Sequence, residues 1–250
     1  MALEITWISQ GGFIFEHAGR RLVIDPYISD VVERTLNFTR LAPPPVRVES
    51  LRPDTVFCSH NHIDHLDPVT VPLIAKHYPF CHFIGPQSVT DELVKMGVDS
   101  KQLTTLKVGK KSEVEGFRMI ATPAHHSDPD AIGLVIKADK KKIYISGDTL
   151  YQSDLAQDVL RSSGGDLDLV LICINGKMNN MGVDEAVKVV KQLQPRAAAP
   201  MHYGLFAENT VAPEPFVRKC RDIGISPFLF TVGKQVNLNK LLSGAEDENS

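Results

Sequence analysis

The chain has 250 residues, 43% of them apolar and 23% charged, with a formal charge of −3, which suits one large domain or two small ones around a sizeable core. So balanced a charge argues against a nucleic-acid footprint or a polybasic membrane patch, and no apolar run approaches the ~20 residues of a membrane span. The opening MALEITWISQ lacks a basic region followed by an apolar one, so no secretion signal is expected. Cys58, Cys81, Cys173 and Cys220 lie far apart, in or beside apolar runs and without a C-x-x-C pair, which predicts buried, reduced thiols and a cytoplasmic location.

The first quarter reads as β-structure: EITWIS, GFIFEHAG and RLVIDP are short, partly alternating runs separated by Gly and Arg turns. Residues 27–48 keep no period and contain Pro43, Pro44 and Pro45, so they predict a long loop, a feature often functional in compact domains. DTVFCS returns to strand and ends at His60. Strand and helix then alternate. PVTVPLIAKHY reads as helix, CHFIG as strand, and PQSVTDELVKMG as a helix opened by Pro86 and stopped by Gly97. QLTTLKV, SEVEG, FRMIATP, AIGLVIKA and KKIYISGD read as strands, with Lys140–Lys142 in a solvated hairpin turn. SDLAQDVLRSSGG is a helix closed by glycines, and DLDLVLICIN is a strand buried on both faces. GVDEAVKVVKQLQP is amphipathic, with Ala186, Val187, Val190 and Leu193 on one stripe. RAAAPMHYG is a short strand running into a loop, and PEPFVRKCRDIG and SPFLFTV finish the fold. Sheets covered by helices in one domain over residues 1–240 are expected, with a disordered acidic tail at 241–250.

The stretch CSHNHIDHLDP, residues 58–68, concentrates His60, His62, Asp64 and His65 in a loop after a strand, where open sheets present their ligands. A catalytic metal takes about three protein ligands plus water, so this loop offers more than one ion needs and can serve two adjacent ions with partners from elsewhere. Candidates stand after three later strands: His125 and His126 after RMIATP, Asp148 after IYISG, and His202 after AAAPM. Singly, such residues are usually surface histidines or turn-forming aspartates; the ordered set is far harder to explain so.

H-x-H-x-D-H after a strand, a distal His, an SGDT Asp and a late PMHYG His resemble the metallo-β-lactamase superfamily of hydrolases, from Asp25 to His202. DPYIS, RLAPPPV, FIGPQS, INGKMNNMGVDEA and PMHYG are further similar to its L-ascorbate-6-phosphate lactonase-like branch. The resemblance implies an α/β fold, a four-layer αββα sandwich. It implies that His60, His62 and His126 hold one divalent ion, that Asp64, His65 and His202 hold a second, and that Asp148 bridges them. His125 is then pocket lining, and Asp25 supports the histidine loop without ligating. Asp64 and Asp148 are the catalytic carboxylates. Two such ions make water a nucleophile near neutral pH. Zinc suits the histidines, Fe²⁺ and Mn²⁺ also accept this donor set, and the branch favours manganese.

The substrate expected is a small molecule, a lactone or related sugar-phosphate ester. Lys177 would meet a phosphate, Asn175, Asn179 and Asn180 would read hydroxyls, and Arg40 and Tyr203 would cap the pocket. The alternatives are a phosphodiesterase acting on a cyclic nucleotide or phospholipid-type diester, and an inactive metal-binding protein of the same fold. An oxygen- or NO-reducing di-iron role is disfavoured, because that branch carries a carboxylate where His62 stands. No nucleic-acid or membrane partner is expected, and a homo-oligomer is in keeping with relatives of this type.

Overall fold

The computed structural model describes residues 2–114 and 116–247. Its strands are β1 (Glu4–Trp7), β2 (Phe13–His17), β3 (Arg20–Ile24), β4 (Thr55–Phe57), β5 (His82–Gly85), β6 (Leu103–Thr105), β7 (Lys111–Val114), β8 (Phe117–Pro123), β9 (Ile132–Ala138), β10 (Lys141–Ile145), β11 (Leu169–Cys173), β12 (Ala197–Met201), β13 (Ser226–Pro227) and β14 (Gln235–Asn237). They form two seven-stranded sheets, ordered β14-β1-β2-β3-β4-β5-β6 and β13-β12-β11-β10-β9-β8-β7. Each sheet is antiparallel at one side and parallel at the other: β3 through β6 pair in parallel, as do β10 through β13.

Side-chain alternation explains the layering. In β2, β3 and β4, Phe13, Phe15, Leu22, Ile24 and Phe57 face the second sheet and join the main core with Met119, Leu134, Ile136 and Ile143. Their neighbours Ile14, Val23 and Val56 point the other way. There they meet Val48 and Leu51 of α2 (Val48–Leu51), Val71 and Ile74 of α3 (Thr70–His77), and Val89 and Leu93 of α4 (Gln87–Lys95). The second sheet is backed by α5 (Leu155–Ser163), α6 (Val183–Leu193) and α7 (Glu214–Asp222), whose buried Val159, Ala186, Val190 and Phe216 belong to the main core. The result is the expected αββα sandwich.

Several local expectations change. Residues 27–48 are not one loop: α1 (Val31–Leu36) forms inside them because Val31 and Val32 bury against Tyr27, Leu205 and Phe206. SPFLFTV contributes only the two residues of β13 to the sheet, and its Phe228 and Phe230 pack as side chains instead. The segment QVN forms β14 against β1. The tail expected to be disordered begins inside α8 (Leu238–Asp247), where Leu241 and Leu242 are buried in the core. Residues 248–250 of that tail, and Glu115 of the SEVEG segment, lie outside the described residues. The hairpin turn between β9 and β10 sits at Asp139–Lys140, both left-handed, so Lys141 and Lys142 already belong to the strand.

Phe15, fully buried between the sheets, tests the two-layer core. Phe15→Ala is expected to lower unfolding stability by ~3–5 kcal/mol, measured by urea denaturation.

Candidate metal centre

The C-terminal ends of β3, β4, β8, β10 and β12 meet on one rim. Asp25 follows β3, His60 follows β4, His126 follows β8, Asp148 follows β10 and His202 follows β12. The loop after β4 closes as a tight turn, with the His65 and Leu66 amides donating to the His62 carbonyl at 3.0 and 2.7 Å. That turn brings Asp64 and His65 back beside His60. His60, His62, Asp64, His65, His126, Asp148 and His202 all arrive at this rim.

The donor atoms fall into three overlapping groups, within 4.8 Å of one another in each: His60, His62 and His126; His60, His65 and Asp148; Asp64, His65 and His202. Ring nitrogens face each other closely: His65 Nε2 and His202 Nε2 at 3.3 Å, and His126 Nε2 and His62 Nδ1 at 3.1 Å. Two neutral imidazole lone pairs so opposed need a cation or a proton between them. Two nitrogens each ~2.0–2.1 Å from one tetrahedral ion stand about 3.3 Å apart, which is the spacing found. His60 Nε2 and Asp148 Oδ1 are buried with no hydrogen-bond partner, a costly arrangement unless something coordinates them. The residues therefore fit divalent ions.

Charge is balanced within the group. Burial pushes the Asp148 carboxyl up, but His202 and His65 outweigh it and hold Asp148 well below the usual carboxylate range. Asp64 is lowered likewise, with burial outweighed by His65 and His202. Burial pulls the His202 imidazole down, and Asp148 and Asp64 reverse this, raising it to about 9 in the metal-free protein. His65 is held well above its ordinary value by Asp148, Asp64 and Asp25 against the same burial. His60 and His62 are lowered, by burial first and then by His65 and His126 respectively, so both keep a lone pair available at neutral pH.

The supporting contacts are equally specific. Asp25 Oδ2 lies 2.7 Å from His65 Nδ1 and accepts from the Ser59 hydroxyl at 2.7 Å, while Oδ1 accepts from the Ser59 amide at 2.7 Å. This fixes the His65 ring and turns its Nε2 toward the other candidate ligands. Asp25 and His202 hold left-handed backbone, φ 42° and 62°, uncommon for residues other than glycine and typical of functional sites.

The structure places the expected substrate residues elsewhere. Asn180 is buried and donates to Asp148 Oδ2 at 2.7 Å, so it orients a carboxylate. Asn175 is buried and bonds to Asn209 Oδ1 at 2.8 Å. Lys177 Nζ donates to the Glu208 carbonyl at 2.8 Å and is not aimed at the rim. Arg40 donates to the Ser29 and Ala42 carbonyls and lies over the Tyr27 ring, 5.1 Å from its centroid. Tyr203 packs on Trp7, and burial lifts its hydroxyl to about 12. His125 is exposed, its amide held by the Thr149 hydroxyl. Asn180 thus stays at the rim as support for Asp148, while Asn175, Lys177, Arg40 and Tyr203 are engaged by other partners.

What lines the site is a cleft of about 370 Å³ with His62 and Asp64 in its wall. Its other walls are Val32, Leu36, Phe38, Ile63, Met178 and Phe206, with Asn61, Ser127, Asn179 and Asn209 as polar members. Of these, Asn179 alone was expected at the site, among the asparagines of the loop after β11, and apolar residues in α1 carry no local signal of a pocket. Also missed was Gln10, fully buried, whose side chain donates to Asp64 Oδ2 at 2.9 Å. It stands after an apolar strand and before two glycines, the same strand-tip position that marked the histidines.

Two packed mixed sheets with this His/Asp array on their shared rim define a metal-dependent hydrolase of the metallo-β-lactamase type. A family model described as a β-lactamase superfamily domain matches residues 20–203. The chain belongs to that superfamily, among the UPF0173 metal-dependent hydrolases. It is 32% identical over 221 residues to one from Thermococcus onnurineus, covering 85% of this chain and 90% of that protein. It is 31% identical to one from Methanosarcina mazei, covering 86% and 89%. Among solved structures, Igni18, a metallo hydrolase from Ignicoccus hospitalis, superposes with a TM-score of 0.77 at 22% identity, covering 94% of this chain and 98% of that one. An isothiocyanate hydrolase from Delia radicum gut bacteria gives 0.73 at 20% identity, covering 93% and 98%. At these identities the structures speak for the fold alone. Among the described residues no helix is long and apolar enough to cross a membrane.

Two substitutions test the support of His65. A Cβ at Gly11 would stand 2.8 Å from His65 Cε1, so Gly11→Ala is expected to displace the ring and lower bound metal, measured by elemental analysis. Asp25→Asn keeps the size but weakens the grip on Nδ1, and ~10–100-fold loss of metal affinity is expected in competition with a chelator.

Proposed function

We propose that this hydrolase acts on a small, uncharged, largely apolar ester or lactone. The observation that carries the reading is the cleft beside His62 and Asp64: its walls are aliphatic and aromatic, and no Lys or Arg is among its lining residues. In this reading His60, His62 and His126 hold one divalent ion, Asp64, His65 and His202 a second, and Asp148 stands between them. Such a pair, when bound, lowers the pKa of water toward ~7 and polarises a substrate carbonyl.

The chain's own residues do the rest. The apolar walls take up the non-reacting part of the substrate and exclude water, which strengthens the electrostatics of the rim. Asn180 and Asp25 keep Asp148 and His65 in one orientation, so little reorganisation is needed as charge develops. Asn61, Ser127 and Asn209 are the polar members available to an ester oxygen. A phosphate remote from the reacting bond, as on a phosphorylated lactone, would need a cation in this wall; Lys177 instead bonds to the Glu208 carbonyl. A phosphodiester at the reacting position would meet the ions themselves, so the assay panel includes one. The isothiocyanate hydrolase of the same fold acts, by its name, on another uncharged electrophilic carbon, so that class belongs with the esters. The four cysteines are free and buried, in keeping with a cytoplasmic protein.

The test is a panel of carboxylic esters, lactones, an isothiocyanate and a chromogenic phosphodiester, run on protein of measured metal content. Turnover of an uncharged carbonyl or isothiocyanate substrate is expected, with His62→Ala lowering kcat/KM by more than ~100-fold while the fold is kept. Preference for the phosphodiester over every uncharged substrate would overturn the reading.

A further inference from the structure

We infer that Gln10 is a positioning residue for the ion group formed by Asp64, His65 and His202, an inference that rests on the two-ion reading above. Its side chain is fully buried. The amide nitrogen lies 2.9 Å from Asp64 Oδ2 and 3.3 Å from His202 Nε2. Asp64 Oδ2 also faces the two histidines, 3.7 Å from His65 Nε2 and 3.5 Å from His202 Nε2. The amide therefore grips the carboxylate by the atom that faces the ion group. A side-chain NH₂ donates and cannot accept, so the opposite amide orientation would set an oxygen against that carboxylate.

The backbone is built to put it there. Beyond β1 the chain turns through Ser9 and Gln10, both left-handed at φ 84° and 51°, a conformation that non-glycine side chains resist. The turn is closed by the Gly12 amide on the Ser9 carbonyl at 2.8 Å and the Ile8 amide on the Gly12 carbonyl at 2.9 Å. The Gln10 carbonyl accepts from Trp7 Nε1 at 3.0 Å and from the His202 amide at 3.1 Å. Gln10 thus holds His202 by its main chain and Asp64 by its side chain, tying two ligands from opposite sheets to one residue. Its Oε1 is buried with no hydrogen-bond partner, which costs stability and is not what a residue serving only to pack would show.

The variant that separates the roles is Gln10→Met, close in size and without a donor. Metal-free wild type and variant are titrated with Co²⁺, following the visible d–d absorption and competing with a chelator. Wild type is expected to take two equivalents. Gln10→Met is expected to hold one with unchanged affinity and the other ~10–100-fold more weakly, with altered d–d bands. Equal affinities and identical spectra in the two proteins would overturn the inference while leaving the two-ion reading intact. Wild type that takes fewer than two equivalents would overturn that reading itself. Should Gln10→Met not fold, the Gln10 side-chain amide of the wild type is followed by ¹H–¹⁵N NMR during Zn²⁺ loading: movement of the resonance is expected, and an unmoved resonance overturns the inference.

Discussion

One buried carboxylate holds the site in register. Asp25 stands at the end of β3, receives both the amide and the hydroxyl of Ser59 at the end of β4, and lies against Nδ1 of His65. A charged group so deep is tolerable only when fully hydrogen-bonded, and those three contacts satisfy it. They also lock two parallel strands and the histidine turn into one unit. Gly11, from the loop after β1, closes over the same pair with no room for a side chain. The ligand array inherits its geometry from this knot, because His60 follows Ser59 directly and His65 ends the turn that His60 begins.

The rest of the array comes from the second sheet, and two of its members, His126 and Asp148, are oriented by a single segment. The loop after β11 places the Asn179 carbonyl 3.1 Å from His126 Nδ1 and the Asn180 amide on Asp148. The same loop gives Met178 and Asn179 to the cleft. Met178 and Asn179 are both left-handed, so the loop is a tight, directed turn. Orientation of the ligands and shape of the cleft are thus one structural problem solved by one stretch of chain. This is why residues expected to touch substrate, Asn180 above all, instead serve the carboxylate.

The cleft narrows what the superfamily membership leaves open. Membership gives metal-dependent hydrolysis; the reacting group is then chosen by what surrounds the rim. Here α1 supplies Val32 and Leu36, with Phe38 just beyond it, facing Met178 and Phe206. An apolar wall of that kind suits the uncharged body of the substrate proposed above.

The amino-acid sequence by itself made the candidate ligand set and the layered sheets legible. A polar coordinating residue shortly after an apolar strand is a local mark, and His60, His126, Asp148 and His202 carry it, with His62, Asp64 and His65 crowded into the loop that follows His60; the alternating runs mark both layers. The place of Asp25 was legible only through the resemblance those residues carry. Tertiary structure alone decided which neighbours of those residues face the candidate ligands, which face the cleft and which face away. Lys177 and Tyr203 stand close to candidate ligands or their loops in sequence, yet bond to the Glu208 carbonyl and pack on Trp7, whereas Gln10 and Phe38 are remote from the histidine loop in sequence and reach it. The physical reason is that a strand tip fixes where a residue stands, but its side-chain direction follows from backbone dihedrals and packing partners far along the chain, and those are set only when the two sheets close on each other.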